Sequence, residues 1–100
     1  MNNRVAKYFQ TGRVDNIGQT AIQVTASSVI CRNGIAIYAD SGNTGAIYVG
    51  GPGVTAFGAS GTDGFPLRPL DRFNFDIDNA SGLFMVSNQG TTNRVFWFAR

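Results

Sequence analysis

Gly45–Gly58, GAIYVGGPGVTAFG, and its continuation Gly64–Asp78, GFPLRPLDRFNFDID, determine how this chain is read. Ala46–Val49 is an apolar strand running into Gly50-Gly51-Pro52-Gly53, a reversal that no helix crosses, because proline removes a donor and glycine favours turns. Beyond the loop, Phe73, Phe75 and Ile77 alternate with Asn74, Asp76 and Asp78. Period-two alternation is the pattern of a strand with one face in a core and one in water. Phe65-Pro66-Leu67-Arg68-Pro69 is expected to be extended, since each proline pushes its predecessor away from the α region.

Working outward, the same writing continues in both directions. Val5–Thr11 is a short strand closed by Gly12, and Arg13–Gln19 reads as a connection. Thr20–Thr25 alternates cleanly. Asn33-Gly34 predicts a type I′ hairpin joining Val29–Arg32 to Ile35–Ala39, since both residue types tolerate positive φ. Asp40-Ser41-Gly42-Asn43 is a second turn and Thr44–Val49 a strand. Val54–Phe57 is at most a short strand, and Ala59–Gly64 is expected to be a mobile loop. Arg72–Asp78, Leu83–Ser87 and Arg94–Arg100 complete the set, with Asn79-Ala80-Ser81-Gly82 as a turn. Eight or nine short strands with a turn signal about every ten residues, and no window of helical period, predict an all-β fold. The expected architecture is an antiparallel β-sandwich, jelly-roll-like, in a single domain spanning 1–100, with 1–19 as an N-terminal strand or arm.

Composition narrows the function classes. The 100 residues make one small domain, with 43% apolar and only 14% charged residues and no Glu. A typical chain is about one-quarter charged, and charge is depleted where surfaces are covered by partners. A homo-oligomer is the expectation that follows. The eight cations, Arg4, Lys7, Arg13, Arg32, Arg68, Arg72, Arg94 and Arg100, are scattered along the sequence, so no nucleic-acid partner is expected. No apolar run approaches membrane-spanning length and the N-terminus lacks a signal-peptide core, so no membrane association and synthesis in the cytoplasm are expected.

Catalytic constellations are missing. Histidine is absent, which removes the commonest general base and metal ligand. Cys31 is the single cysteine and sits in an apolar run, where a thiol behaves as a small buried hydrophobe. Gly50-Gly51-Pro52-Gly53 lacks the Lys-Ser/Thr of a phosphate loop. Asp76 and Asp78 share a strand face without the spacing of a calcium loop, and Asp63 and Asp71 read as lone turn residues. The expectation is therefore no enzyme, with no catalytic, cofactor or metal residues. Tyr8, Phe9, Phe57, Phe65 and Trp97 are the candidate interface residues, apolar side chains left over for a partner. Trp97 has two readings, core or exposed sugar platform, and Tyr38 and Tyr48, read on neighbouring strands, keep the second open.

The segment Gly42-Asn43-Thr44-Gly45-Ala46-Ile47-Tyr48-Val49-Gly50-Gly51, with Gly53-Val54-Thr55 and Gly64-Phe65-Pro66-Leu67, resembles small virion structural proteins of tailed bacteriophages. The strand Phe75–Asp78, the segment Leu83–Val86 and a Trp-bearing last strand extend the likeness over Ala21 to Arg100. The resemblance implies a capsid decoration (cement) protein on the virion surface. It would bridge subunits of the major capsid protein, as a homo-oligomer and by analogy a trimer, with the N-terminal arm reaching a neighbour. The alternative is a carbohydrate- or receptor-binding module of a tail or head fibre.

Overall fold

The computed structural model describes residues 10–56, 58 and 61–100. Eight strands form among them: β1 (Gln10–Ile17), β2 (Ile22–Gln23), β3 (Ile35–Ala39), β4 (Ile47–Gly50), β5 (Phe65–Leu67), β6 (Arg72–Phe75), β7 (Phe84–Ser87) and β8 (Asn93–Ala99). The one helical element among the described residues is a 3₁₀ turn at Ala80–Gly82, capped by Asn79, whose side chain accepts from the Ser81 N–H. No helix is long and apolar enough to cross a membrane.

The strands build two four-stranded antiparallel sheets, ordered β1-β8-β3-β6 and β2-β7-β4-β5. First pairs with last, second with seventh, third with sixth and fourth with fifth. The chain is thus one long hairpin, rolled up so that β3 also meets β8 and β4 also meets β7. That is the order of a jelly roll. The described part of the hairpin tip is residues 51–56, 58 and 61–64, the glycine-rich segment beside which the sequence is most legible. Rolling buries the alternate residues of both sheets against each other. Ile35, Ile37, Val95 and Ala99 of the first sheet and Ile47, Leu67 and Met85 of the second lie in one core.

Several elements differ from the sequence reading. Strand β1 runs through Gly12 to Ile17, where a connection was expected, and Val5–Phe9 lie outside the described residues. Gly12 is a packing residue here: a Cβ would sit 2.4 Å from the Trp97 ring. The strand bulges between Val14 and Ile17, with Asn16 at φ 58 carrying the extra residue.

The Asn33-Gly34 hairpin does not form. Asn33 has no positive φ, and β3 pairs with β6 and β8 instead of with Val29–Arg32. The Asn33 N–H donates to Arg100 O at 2.6 Å, and within Val29–Arg32 only Ile30 makes a β-bridge, to Asn79. Long-range pairing with the last strand overrides the local turn preference. Gly34 is still required, at φ +85 with its ideal Cβ 2.5 Å from Phe75 O. Gly34→Ala is expected to cost about 1–3 kcal/mol in chemical denaturation; a loss under a few tenths would contradict this register.

Of the loop expected at Ala59–Gly64, Ala59 and Ser60 lie outside the described residues, and Thr62, Asp63 and Gly64 are tied by hydrogen bonds. Thr55 N–H donates to Thr62 O and Gly64 N–H to Thr55 O. Asp63 accepts from Thr55 Oγ1 at 2.6 Å and from the Gly58 N–H at 2.8 Å, so it is a latch of the tip rather than a lone turn residue. Asp71 likewise accepts from the Arg68 N–H at 2.9 Å. Val54 and Ala56 fold back onto Val86, Tyr48 and Phe84, covering the outer face of the second sheet. Nothing comparable covers the outer face of the first sheet among the described residues.

Candidate functional site

Two surfaces stand out, and both follow from strand parity. The first is the mouth of the sandwich, where the edge strands β5 and β6 leave the core open. Phe65 pairs with Val49, and Phe73 and Phe75 with Ile37 and Ile35, so all three rings point to the inner side. An edge strand has a neighbour on one side only, and the inner side is incompletely roofed. Phe65 remains 46% exposed and Phe73 45%. The alternation in Phe73–Ile77 thus gave the correct face, while full burial was prevented by edge position. The rings touch: Phe65 to Phe73 at 4.6 Å between centroids, Phe73 to Phe75 at 5.0 Å and Phe65 to Phe75 at 5.9 Å, the last two edge-on. The cluster joins one edge of each sheet. Leu70, also exposed, lies on the link between these strands and is held at φ 76, a conformation costly for a bulky side chain.

The second surface is the outer face of the first sheet. Cross-strand register places Arg13, Phe96, Tyr38 and Arg72 in one row and Thr11, Phe98, Ala36 and Asn74 in the next. Tyr38 is 40% and Phe96 37% exposed, both on central strands. The small Ala36 between taller neighbours leaves an open groove of about 670 Å³, lined by both rows except Asn74 and also by Gly12 and Trp97. Arg100 lies over the Phe98 ring, 5.3 Å from its centroid. Asp15 binds Arg13 at 3.2 Å and Arg94 at 2.7 Å.

Of the five candidate interface residues, Phe65 is at the mouth and Trp97 is in the core, 7% exposed against Gly12. Tyr8, Phe9 and Phe57 lie outside the described residues. Tyr38 and Tyr48 are on different sheets, not on neighbouring strands, and Tyr48 is half-buried under the tip. Sequence reasoning did not mark Phe73 or Phe96 as exposed, and it named Tyr38 only as part of the sugar-platform reading of Trp97. Alternation puts Phe96 and Phe98 on one face of β8 and Val95 and Trp97 on the other, and which face is outer is decided by the sheet's partner.

Cys31 is buried and its thiol donates to Val29 O at 3.4 Å. Burial pushes the thiol pKa up, with a smaller push from Asp78, against a backbone hydrogen bond with Ala80 that lowers it. A thiol kept protonated in this way is a poor nucleophile. Asp76 and Asp78 border a shallow hollow with Cys31 and Arg32, and no group of three or more metal-ligating side chains gathers among the described residues.

Comparison of the chain with protein-family models, with curated proteins and with solved structures finds no match in any of the three.

Proposed function

We propose that this chain is a non-enzymatic structural protein of a bacteriophage particle, a capsid decoration protein that bridges subunits of the shell through the mouth of its sandwich. The observation that carries the reading is the Phe65–Phe73–Phe75 cluster, apolar rings held half-exposed on the edges of both sheets. Aromatic side chains in such a position gain most when a partner surface completes their burial. The unpaired backbone of β5 and β6 beside them offers further donors and acceptors, with Pro66 and short strand length limiting uncontrolled edge pairing. The jelly-roll order supports the reading by fold-level analogy only, because the architecture serves both capsid and lectin domains. In this reading the partners are the major capsid protein and further copies of the chain, in a trimer by analogy, and the place is the virion surface. The carbohydrate reading has less to rest on, since Trp97, Tyr38 and Tyr48 do not form one platform.

The double variant Phe65→Ser/Phe73→Ser tests the reading. Both side chains are already near half-exposed, so the variant is expected to fold and to melt close to the parent. It is expected to lose self-association in light scattering and to stop co-sedimenting with capsids that lack the protein. Retention of both properties would count against the mouth as the docking surface.

A further inference from the structure

We propose that the open edge of β6 pairs with the β6 edge of a second copy across a two-fold axis, joining two copies through one continuous sheet. The inference deepens the reading of the mouth as an interface and rests on it, because Phe73 and Phe75 belong to both. Backbone direction decides which groups the edge offers. Ala39 of β3 donates its N–H to Asp71 O at 2.9 Å and accepts from the Leu70 N–H at 3.0 Å, so it turns toward β6. Alternate residues of a strand turn the same way, so Ile37 and Ile35 also bond toward β6, where Phe73 and Phe75 stand opposite them. Arg72 and Asn74 therefore turn their N–H and C=O groups outward, where no strand lies beside β6 among the described residues. The neighbouring edge is closed. Pro66, at the centre of β5, has no N–H, the Gly64 N–H is held by Thr55 O at 3.1 Å, and the Arg68 N–H by the Asp71 carboxylate at 2.9 Å. At the far edge of the first sheet, β1 is interrupted by its bulge, which discourages pairing. Strand β6 carries neither device.

The edge is its own complement, and this selects the occupant. An antiparallel pairing with the axis at Asn74 sets Asn74 opposite Asn74 of the second copy, Phe73 opposite its Phe75, and Arg72 opposite its Asp76, the residue that directly follows the strand. Asn74 and Arg72 are the residues whose backbone turns outward, so the hydrogen-bonding positions coincide. An axis placed on Phe73 or Phe75 would bring inward-turned groups to the contact. Opposite charges meet at both ends of the pairing, and opposite charges across strands stabilise where like charges destabilise. The two Asn74 amides each bring a donor and an acceptor. Asp71, the carboxylate just before the strand, falls opposite Ile77 of the second copy and already holds the Arg68 N–H. On the inner side the Phe73 and Phe75 rings of one copy adjoin those of the other, so the aromatic cluster runs on across the axis. A two-fold contact closes on itself, so it joins copies in pairs, in place of the threes that analogy gave.

The test is sedimentation velocity of the full chain at protein concentrations from micromolar to millimolar. The contact is short, so a weak, reversible association from 10.7 kDa to twice that mass is expected. Arg72→Asp and Asp76→Arg are each expected to weaken it about tenfold, because the axis turns each change into two like-charge pairs, with melting nearly unchanged since both residues are exposed. The double swap Arg72→Asp/Asp76→Arg restores opposite charges across the axis and is expected to recover most of the parent's affinity. Amide hydrogen exchange of the unmodified chain gives a second readout. Exchange at Arg72 and Asn74 is expected to be slow at millimolar concentration and to quicken on dilution. A chain that stays monomeric at millimolar concentration overturns the pairing, while co-sedimentation with capsids still decides the mouth reading separately. Association that the single charge variants leave unchanged, or that the double swap does not recover, also overturns it. Slowing of exchange at Arg72 and Asn74 only when capsids are added would give the edge to a shell segment and overturn it as well.

Discussion

Asn93→Ala is expected to destabilise the fold by about 3–6 kcal/mol, measured by chemical denaturation, because a whole end of the sandwich is tied to this one side chain. Asn93 is 1% exposed. Its Oδ1 accepts from the Thr44 N–H at 2.8 Å and the Gly45 N–H at 3.2 Å. Its Nδ2 donates among Ile17 O at 3.0 Å, Ser87 Oγ at 2.9 Å and Gln89 O at 2.9 Å. Those partners belong to the end of β1, the loop before β4, the end of β7 and the loop after it, so both sheets are joined. Each buried group left without a partner costs about 1–3 kcal/mol, and several are left at once. Asn93→Asp is a sharper form of the test. It keeps the acceptor but turns an oxygen toward three acceptors and buries a charge. The loss should be largest when the carboxyl is ionised and should shrink as pH falls toward about 4, where protonation restores one donor. A change under about 1 kcal/mol for Asn93→Ala would show that the joint is not structural.

Trp97→Ala is the second large effect, expected at about 3–5 kcal/mol, the range for removing a large buried aromatic. The ring packs on Gly12 of the neighbouring strand, where an ideal Cβ would come within 2.4 Å of it. The two positions are therefore coupled. Gly12→Ala is expected to be costly in the parent and much less so beside Trp97→Leu, giving a clear interaction energy in a double-mutant cycle. Equal cost of Gly12→Ala in both backgrounds would contradict this packing. A Trp97→Ala protein that melts like the parent would contradict the core placement.

The fold class was legible because period-two alternation is a local signal, and strands such as Arg72–Phe75 and Asn93–Ala99 carry it strongly. The partners of each strand were not legible. Asn33-Gly34 looked like a hairpin because its local chemistry favours one, yet its backbone is engaged by Arg100, at the far end of the sequence. Asn93 had no sequence signal at all, since a buried asparagine with five partners reads like any other loop residue until the roll is known. The same limit applies to the surfaces. Phe73 was placed on the right face, but only its edge position leaves it half-exposed. The arginines of the first sheet are far apart in sequence and become a surface only when β1, β6 and β8 join one sheet.

The central claim is that the Phe65–Phe73–Phe75 mouth docks this jelly roll onto a phage shell. The most direct measurement is an electron cryo-microscopy reconstruction of the particles formed with the protein, compared with particles formed without it. The account predicts added density on the shell surface that fits two four-stranded sheets, with Phe65 and Phe73 against a capsid subunit or a neighbouring copy. Absence of the protein from the particle, or density that leaves those two side chains facing solvent, would contradict it.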